Sequence, residues 1–396
     1  MLAKEMETYI TGGSAVRAMF EEGNRLAAKY GRENVYDFSL GNPNIPAPAE
    51  VNDAIRSILA EEESTFVHGY MTNAGYPDVR QAVAEDLNRR FGTDYTQANI
   101  LMTVGAAGGL NTILRVLLDP EDQVIVFAPY FSEYNFYVRG ARGVIRPIPA
   151  DPITFQPDPE ALRSAVTPRT KALLLNNPNN PTGVVYPEET LRAIAAVLTE
   201  KSAEIGHPIY IFSDEPYREL VYDGVTAPWI PSLYPDTVVG YSWSKSLSLP
   251  GERIGYLCIP SSCADFPVMF DAAVAVSRTL GFVNAPSLIQ RAVMRSLGAR
   301  TDIRAYDRNR QALYQGLTDL GFRCARPQGA FYLWVQAPDG DDVAFAQKAM
   351  EHHILMVRGS GFGCAGYVRL AYCVSHDMIL RSLPAFEKLA NEYNLK

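Results

Sequence analysis

The run Ser242-Trp243-Ser244-Lys245-Ser246-Leu247-Ser248-Leu249-Pro250-Gly251-Glu252-Arg253-Ile254-Gly255 sets one amine among hydroxyls, with a guanidinium eight residues downstream. An amine condenses with an aldehyde, and hydroxyl and guanidinium donors bind phosphate. Together these groups suit a phosphorylated aldehyde cofactor such as pyridoxal phosphate, held as a Schiff base. Charge-assisted bonds to the phosphate contribute roughly 1.5–3 kcal/mol each. Taken alone, the run fits a surface lysine in a polar loop equally well.

Three segments upstream favour the cofactor. Thr103-Val104-Gly105-Ala106-Ala107-Gly108-Gly109-Leu110 ends a strand pattern and opens a helix pattern. Small residues there let backbone N–H groups approach an anion, and the helix N-terminus adds partial positive charge. Ser242, Ser244 and Arg253 are the side-chain donors for the same phosphate. Asn176-Asn177-Pro178-Asn179-Asn180-Pro181-Thr182-Gly183 and Ser213-Asp214-Glu215-Pro216-Tyr217 each follow an apolar run, where ligands of a parallel α/β sheet sit. Each motif has a plainer reading as a turn or helix cap. Those readings do not explain why all occur with Ser-x-Ser-Lys. Gly361-Phe362-Gly363-Cys364-Ala365-Gly366 matches the dinucleotide fingerprint, but a strand pattern follows it where that site needs a helix. It is read as a loop, which excludes a nicotinamide dehydrogenase.

The elements that must position these groups are legible as alternation. Apolar, β-rich runs fall at 100–104, 123–128, 172–176, 209–213, 237–241 and 254–259, with helical spacing at 110–118, 158–166 and 187–199. Near-continuous Val/Ile/Leu runs suit strands covered on both faces, so the middle of the chain reads as an α/β domain with a mostly parallel sheet. A helix is expected over 14–30, capped by Ser14 and stopped by Gly31. Beyond about residue 280, helical patterns at 286–297, 302–320, 343–353 and 375–393 enclose short strands at 330–335 and 367–372. The expected division is therefore an N-terminal segment (1–45) joining a small C-terminal α+β domain (281–396), around a large cofactor-binding α/β domain (46–280).

The 396 residues carry a net charge of −8, which argues against nucleic acid or an acidic membrane as partner. The five cysteines show no CxxC spacing and read as reduced thiols, with no metal site implied. The opening Met1-Leu2-Ala3-Lys4-Glu5-Met6-Glu7 is too charged for a signal peptide, and no apolar run reaches the roughly 18 residues of a membrane span. A cytoplasmic protein is expected.

From Ser39-Leu40-Gly41-Asn42-Pro43 to Tyr367-Val368-Arg369-Leu370, the motifs and their order resemble those of fold-type I pyridoxal-phosphate enzymes of the class I/II aminotransferase (aspartate aminotransferase) family. The resemblance implies a seven-stranded-type sheet covered by helices, and residue roles as follows. Lys245 forms the internal aldimine and later carries the proton, and Asp214 pairs with the pyridine nitrogen. Asn180 and Tyr217 hydrogen-bond the ring oxygen, and Phe131 stacks on the ring. Tyr70, five residues before Gly75, reaches the neighbouring subunit's phosphate. Arg369 binds the substrate α-carboxylate, and Gly41 lines that pocket. The implied assembly is a homodimer with shared sites, acting on amino acids and 2-oxo acids. Two departures stand out: Trp243 beside Ser242, and Ala106-Ala107 where hydroxyl-bearing residues often occur, which leaves backbone amides alone for the phosphate in that loop. Dicarboxylate-specific members often carry a second arginine before an Asn-x-Pro segment. Arg278 ahead of Asn284-Ala285-Pro286 lies about one position from where a gapless match puts that arginine; the alternative is that it packs at a helix end or pairs with an interface acid.

The chemistry agrees with those roles. A buried Asp214 carboxylate favours a protonated pyridinium, donors at Tyr217 and Asn180 stabilise an ionised ring oxygen, and a displaced Lys245 amine is free to move a proton. Two other readings share these residues: a β-elimination (carbon–sulfur) lyase on the same scaffold, and a non-catalytic effector-binding module. Release of pyruvate and ammonia would mark the lyase; the intact Lys245 speaks against the module. His352-His353 are adjacent and cannot face one metal from a helix. Glu61-Glu62-Glu63 reads as a solvated helix end, and Tyr130, Tyr134, Phe136 and Tyr137 as core.

Overall fold

The computed structural model describes residues 15–395 together with Leu2 and Met6. The expected cap Ser14 lies outside the described residues, and the helix it was to open runs Ala15–Tyr30. The strands are β1 (Tyr36–Asp37), β2 (Ile100–Thr103), β3 (Gln123–Ala128), β4 (Val144–Pro149), β5 (Thr170–Asn176), β6 (Tyr210–Asp214), β7 (Thr237–Ser242), β8 (Gly255–Cys258), β9 (Cys324–Ala325), β10 (Tyr332–Gln336), β11 (Ile354–Leu355), β12 (Val357–Arg358) and β13 (Tyr367–Ala371).

Seven of them form one sheet in the order β2-β8-β7-β6-β5-β3-β4. β3, β4, β5, β6 and β7 run parallel, and β8 runs antiparallel to both neighbours, β2 and β7. The pleat explains why the central runs are almost entirely apolar. Val124, Val126, Ala172, Leu174 and Phe212 enter one core, against Leu110, Ile113 and Leu114 of the helix Gly105–Leu117. Their alternates Ile125, Leu173, Leu175 and Ile211 enter another, against Leu191, Ile194 and Leu198 of the helix Glu188–Ile205. β4 escaped the pattern because it is a partly exposed edge strand interrupted by Pro147 and Pro149. The helices Pro77–Phe91, Tyr134–Gly140 and Val268–Thr279 were likewise not anticipated, and of the helix Ala49–Glu61 only the acidic end at Glu61 was.

A second sheet, β12-β13-β10-β9, packs on the helices Ile303–Asp319 and His376–Glu392. Along β10, Leu333 and Val335 face those helices, whereas Trp334 belongs to the core beneath the large sheet and stacks on Tyr367 at 5.5 Å. β1 pairs in parallel with β11, tying the N-terminal segment to this layer. The glycine-rich loop is indeed followed by a strand, β13. Its turn Gly359–Phe362 is held by the Asp342 carboxylate, which accepts from Ser360 N at 2.8 Å and Gly366 N at 3.2 Å. Phe362 O accepts from Tyr130 N at 3.0 Å, so the loop joins the two layers.

Candidate active site

Topology brings the motifs together. β5, β6 and β7 are parallel, so their carboxyl ends place Asn176, Asp214 and Ser242 at one edge of the sheet. β3, parallel to β5, delivers Phe131 there, and β2 delivers the loop before the helix Gly105–Leu117. Because β8 is antiparallel, it is its start, next to Arg253, that reaches this edge. The result is a cavity of about 320 Å³ lined by Gly41, Ala106, Ala107, Phe131, Asn180, Asp214, Tyr217, Ser242, Ser244, Lys245, Arg253 and Arg369. The expected site residues are on that wall except Tyr70, which is 93% exposed, and the candidate Arg278.

Asp214 closes the deep end. Its Oδ2 accepts from the Tyr134 hydroxyl at 2.6 Å, while Oδ1 is buried without a partner among the described residues. Burial pushes the carboxyl up to about 7, although the Tyr134 bond pulls it down. Asn176 fixes the strand end by donating Nδ2 to Asp214 O at 2.9 Å, and its Oδ1 accepts from Asn180 N at 2.6 Å.

At the opposite end, Gly105 opens its helix at φ 68°, a conformation that favours glycine, and a Cβ there would lie 2.9 Å from Arg253 Nη2. The helix N-terminus and the guanidinium therefore face one small volume, beside Ser242 and Ser244. The outlying Trp243 is core: it packs edge-on to Tyr241 at 5.5 Å and Tyr256 at 5.4 Å.

Between these ends, Lys245 stands on the short helix Trp243–Ser246, and its Nζ donates to Gly41 O at 2.8 Å. Burial pulls the ammonium down to about 8, and the Arg253 and Arg369 charges add to the fall against an opposing Cys373. Arg369 is 1% exposed; it donates to Asn180 Oδ1 at 2.9 Å and Ser39 O at 2.7 Å, and its Nε has no partner among the described residues.

The sequence matches the family described as aminotransferase class I and II over residues 33–385. The chain belongs to the class I and II aminotransferases. It is 35% identical to the aspartate/prephenate aminotransferase of Thermus thermophilus over 366 residues, 89% of this chain and 90% of that protein. It is 32% identical to the aspartate aminotransferase of Geobacillus stearothermophilus, covering 92% and 93%. Among solved structures, an amino transferase of Eubacterium rectale superposes with a TM-score of 0.97 at 46% identity, covering 100% of this chain and 99% of that one. The Thermus thermophilus aspartate aminotransferase with maleate gives 0.88 at 32%, covering 98% and 99%. These relatives favour amino-group transfer over the lyase and effector-module readings.

Pyridoxal phosphate is the cofactor of such an aminotransferase, and the residues present fit it. The partnerless Asp214 Oδ1 awaits a cationic N–H donor, and the Gly105–Arg253 cradle has room and charge for a phosphate. Several residues at the site of this aminotransferase were not anticipated, among them Tyr134 and Tyr332, and Tyr137, read as core, lines the cavity as well. Tyr134, read as core, holds Asp214; it opens the helix Tyr134–Gly140 and meets Phe131 edge-on at 5.5 Å, a contact that no periodicity announces. Tyr332 lines the cavity with its hydroxyl 2.8 Å from that of Tyr217, and only its place between Phe331 and Leu333 on a strand hinted at an opposite facing.

Proposed function

We propose that this aminotransferase moves an amino group between an L-amino acid, with aspartate as donor, and a 2-oxo acid, using Lys245 as the Schiff-base lysine. The observation that carries the reading is that the Lys245 amine, the partnerless Asp214 oxygen and the buried Arg369 guanidinium line one cavity. When bound, the cofactor supplies an aldehyde for the amino group and a ring that withdraws electrons from the substrate Cα. Arg369 grips the α-carboxylate and fixes which Cα bond is presented for cleavage. Lys245, with its ammonium lowered to about 8, has a fraction of free amine at neutral pH and carries the proton to and from Cα. Asp214 holds the proton on the ring nitrogen, Tyr217 and Asn180 donate to the ring oxygen, and Phe131 covers the ring face. Ser242, Ser244, Arg253 and the Ala106-Ala107 amides bind the phosphate.

The aspartate assignment draws on the relatives and on Arg278, which is exposed at the end of its helix and does not line its own chain's cavity. The segments that carry Tyr70 and Arg278 meet: Asn284 Nδ2 donates to Thr72 O at 2.8 Å and Asn73 Nδ2 to Val283 O at 3.2 Å. A homodimer in which Tyr70 and Arg278 enter the partner's site accounts for that placement. The division at residues 45 and 280 belongs to the same proposal and is supported by the β1–β11 pairing. So does a cytoplasmic location, supported by five free cysteines.

Single amino acids added to the loaded enzyme should convert its absorbance to that of the pyridoxamine form, aspartate fastest, and borohydride reduction should leave the pyridoxyl group on Lys245. A pyridoxyl group on another lysine, or pyruvate and ammonia as the products, overturns the reading. Inactive Tyr70→Ala and Lys245→Ala enzymes should regain part of their activity when mixed; a fully active monomer removes the shared site. Arg278→Ala should lower kcat/KM for aspartate by about 30-fold or more while sparing aromatic substrates. Equal loss on all substrates assigns Arg278 to structure.

A further inference from the structure

Tyr332 has no part assigned in the reaction, yet its side chain touches three groups of the site. Its hydroxyl lies 2.8 Å from the Tyr217 hydroxyl, and its ring centroid lies 4.4 Å from the Arg369 guanidinium carbon. The same hydroxyl presses on Gly41, where a Cβ would fall 2.1 Å away, and Gly41 O is the acceptor for Lys245 Nζ. The close approach explains why glycine stands there.

Two buried phenols in contact share one hydrogen bond, and the more acidic of them donates. Tyr332 lies under the Arg369 cation, which withdraws charge from its ring; Cys373 is its other ionisable neighbour. Tyr217 faces Tyr332, Arg369 and also the Asp214 carboxyl, whose charge disfavours loss of a phenolic proton. Burial raises both phenols above their ordinary value, so both keep their protons and one of them must donate to the other. Donation therefore runs from Tyr332 to Tyr217, which leaves the Tyr217 proton to point into the cavity.

We propose that Tyr332 is a positioning residue for transamination: its hydroxyl, donating to the Tyr217 oxygen, turns the Tyr217 proton toward the ring oxygen of the cofactor. This rests on the reading of Tyr217 as a donor to that oxygen. Removing the Tyr332 hydroxyl weakens the Tyr217 donation, so the proton at the cofactor's lysine linkage is held more tightly.

The test is the pH midpoint of the cofactor absorbance in the loaded enzyme, measured without substrate. Tyr332→Phe, which keeps the ring under Arg369, should raise the midpoint by about half a unit, the shift expected from one weakened neutral hydrogen bond. Tyr217→Phe should raise it further, and the double variant should match Tyr217→Phe alone, because the Tyr332 effect passes through Tyr217. An unmoved midpoint in Tyr332→Phe, or an equal shift from Tyr332→Phe in both backgrounds, overturns the proposal. An unmoved midpoint in Tyr217→Phe overturns the Tyr217 assignment itself and the inference with it, so the two failures are distinguishable.

Discussion

Asp214 and Glu215 are consecutive buried carboxylates at the end of one strand, and their surroundings could hardly differ more. Asp214 lies on the cavity face with one oxygen bonded to Tyr134 and the other without a partner. Glu215 turns to the other face, accepts from Ser213 Oγ at 2.5 Å, and is in direct contact with Arg218. That guanidinium lies against Trp229 at 4.5 Å, Phe91 at 5.2 Å and Tyr241 at 5.4 Å, a cage of rings none of which lines the cofactor cavity. A saturated buried ion supports the fold, whereas a half-saturated one is held ready for a ligand. The pair teaches that burial alone does not mark a functional acid, and neither does a missing partner, since Arg218 Nη1 also lacks one among the described residues; a partnerless oxygen on the wall of a cavity does.

The largest way to break the contrast is Asp214→Ala. It should keep the cofactor on Lys245 and lose transamination by about a thousand-fold or more, the cost of removing a preorganised charge at the reacting ring. Stopped turnover assays on the loaded variant check it, and near-normal rates would falsify the role of Asp214. Glu215→Gln should do the reverse. Leaving Arg218 charged and unpaired in its cage should destabilise the fold by roughly 3–5 kcal/mol, with turnover per loaded molecule changed only a few-fold. Denaturant titration measures the loss, and adding Arg218→Met should restore most of it. If turnover collapses while the fold holds, the two acids are not separable.

Asp214→Asn sharpens the comparison through pH. The folded carboxyl titrates at about 7 against an ordinary 3.8, so the empty protein loses stability as pH rises between those values and carries the full penalty above 7. The empty variant should therefore be more stable than its parent at pH 8 by on the order of 2 kcal/mol, less than the full ionisation term because its amide N–H is left without an acceptor. The advantage should vanish near pH 4. A variant less stable at every pH would show that Asp214 is a structural acid like its neighbour. The smallest effect belongs to Tyr134→Phe, which removes the hydroxyl that donates to Asp214 Oδ2. The acid limb of the activity profile should move up by about one unit, as a lost bond to a charged group of 1.5 kcal/mol or more implies. An unmoved limb would show that Tyr134 does not tune the acid.

Much of the site was legible because a parallel sheet converts sequence order into position. A motif that follows an apolar run lies at a strand's carboxyl end, so Asn176 to Asn180, Asp214 to Tyr217 and Ser242 to Lys245 could be placed together before any contact was known. The edge strand β4 and the helix Pro77–Phe91 were not legible, since prolines and a weak amphipathic pattern carry little periodic signal, and of the helix Ala49–Glu61 only the acidic end was read. Tyr70 was found by resemblance alone, and a single chain leaves it in solvent.

The sequence by itself determined which groups meet: an amine, a carboxyl, a guanidinium and a helix start, each fixed to a strand end by local patterning. Only the tertiary structure decided their electrical state. Asp214 owes its bond to a residue 80 positions away, Tyr217 meets a phenol 115 away, and Arg369 reaches Asn180 across 189. Local periodicity sets which side of an element a residue faces. Partners and desolvation, which move a proton affinity by whole units, are set by what other elements bring against that side.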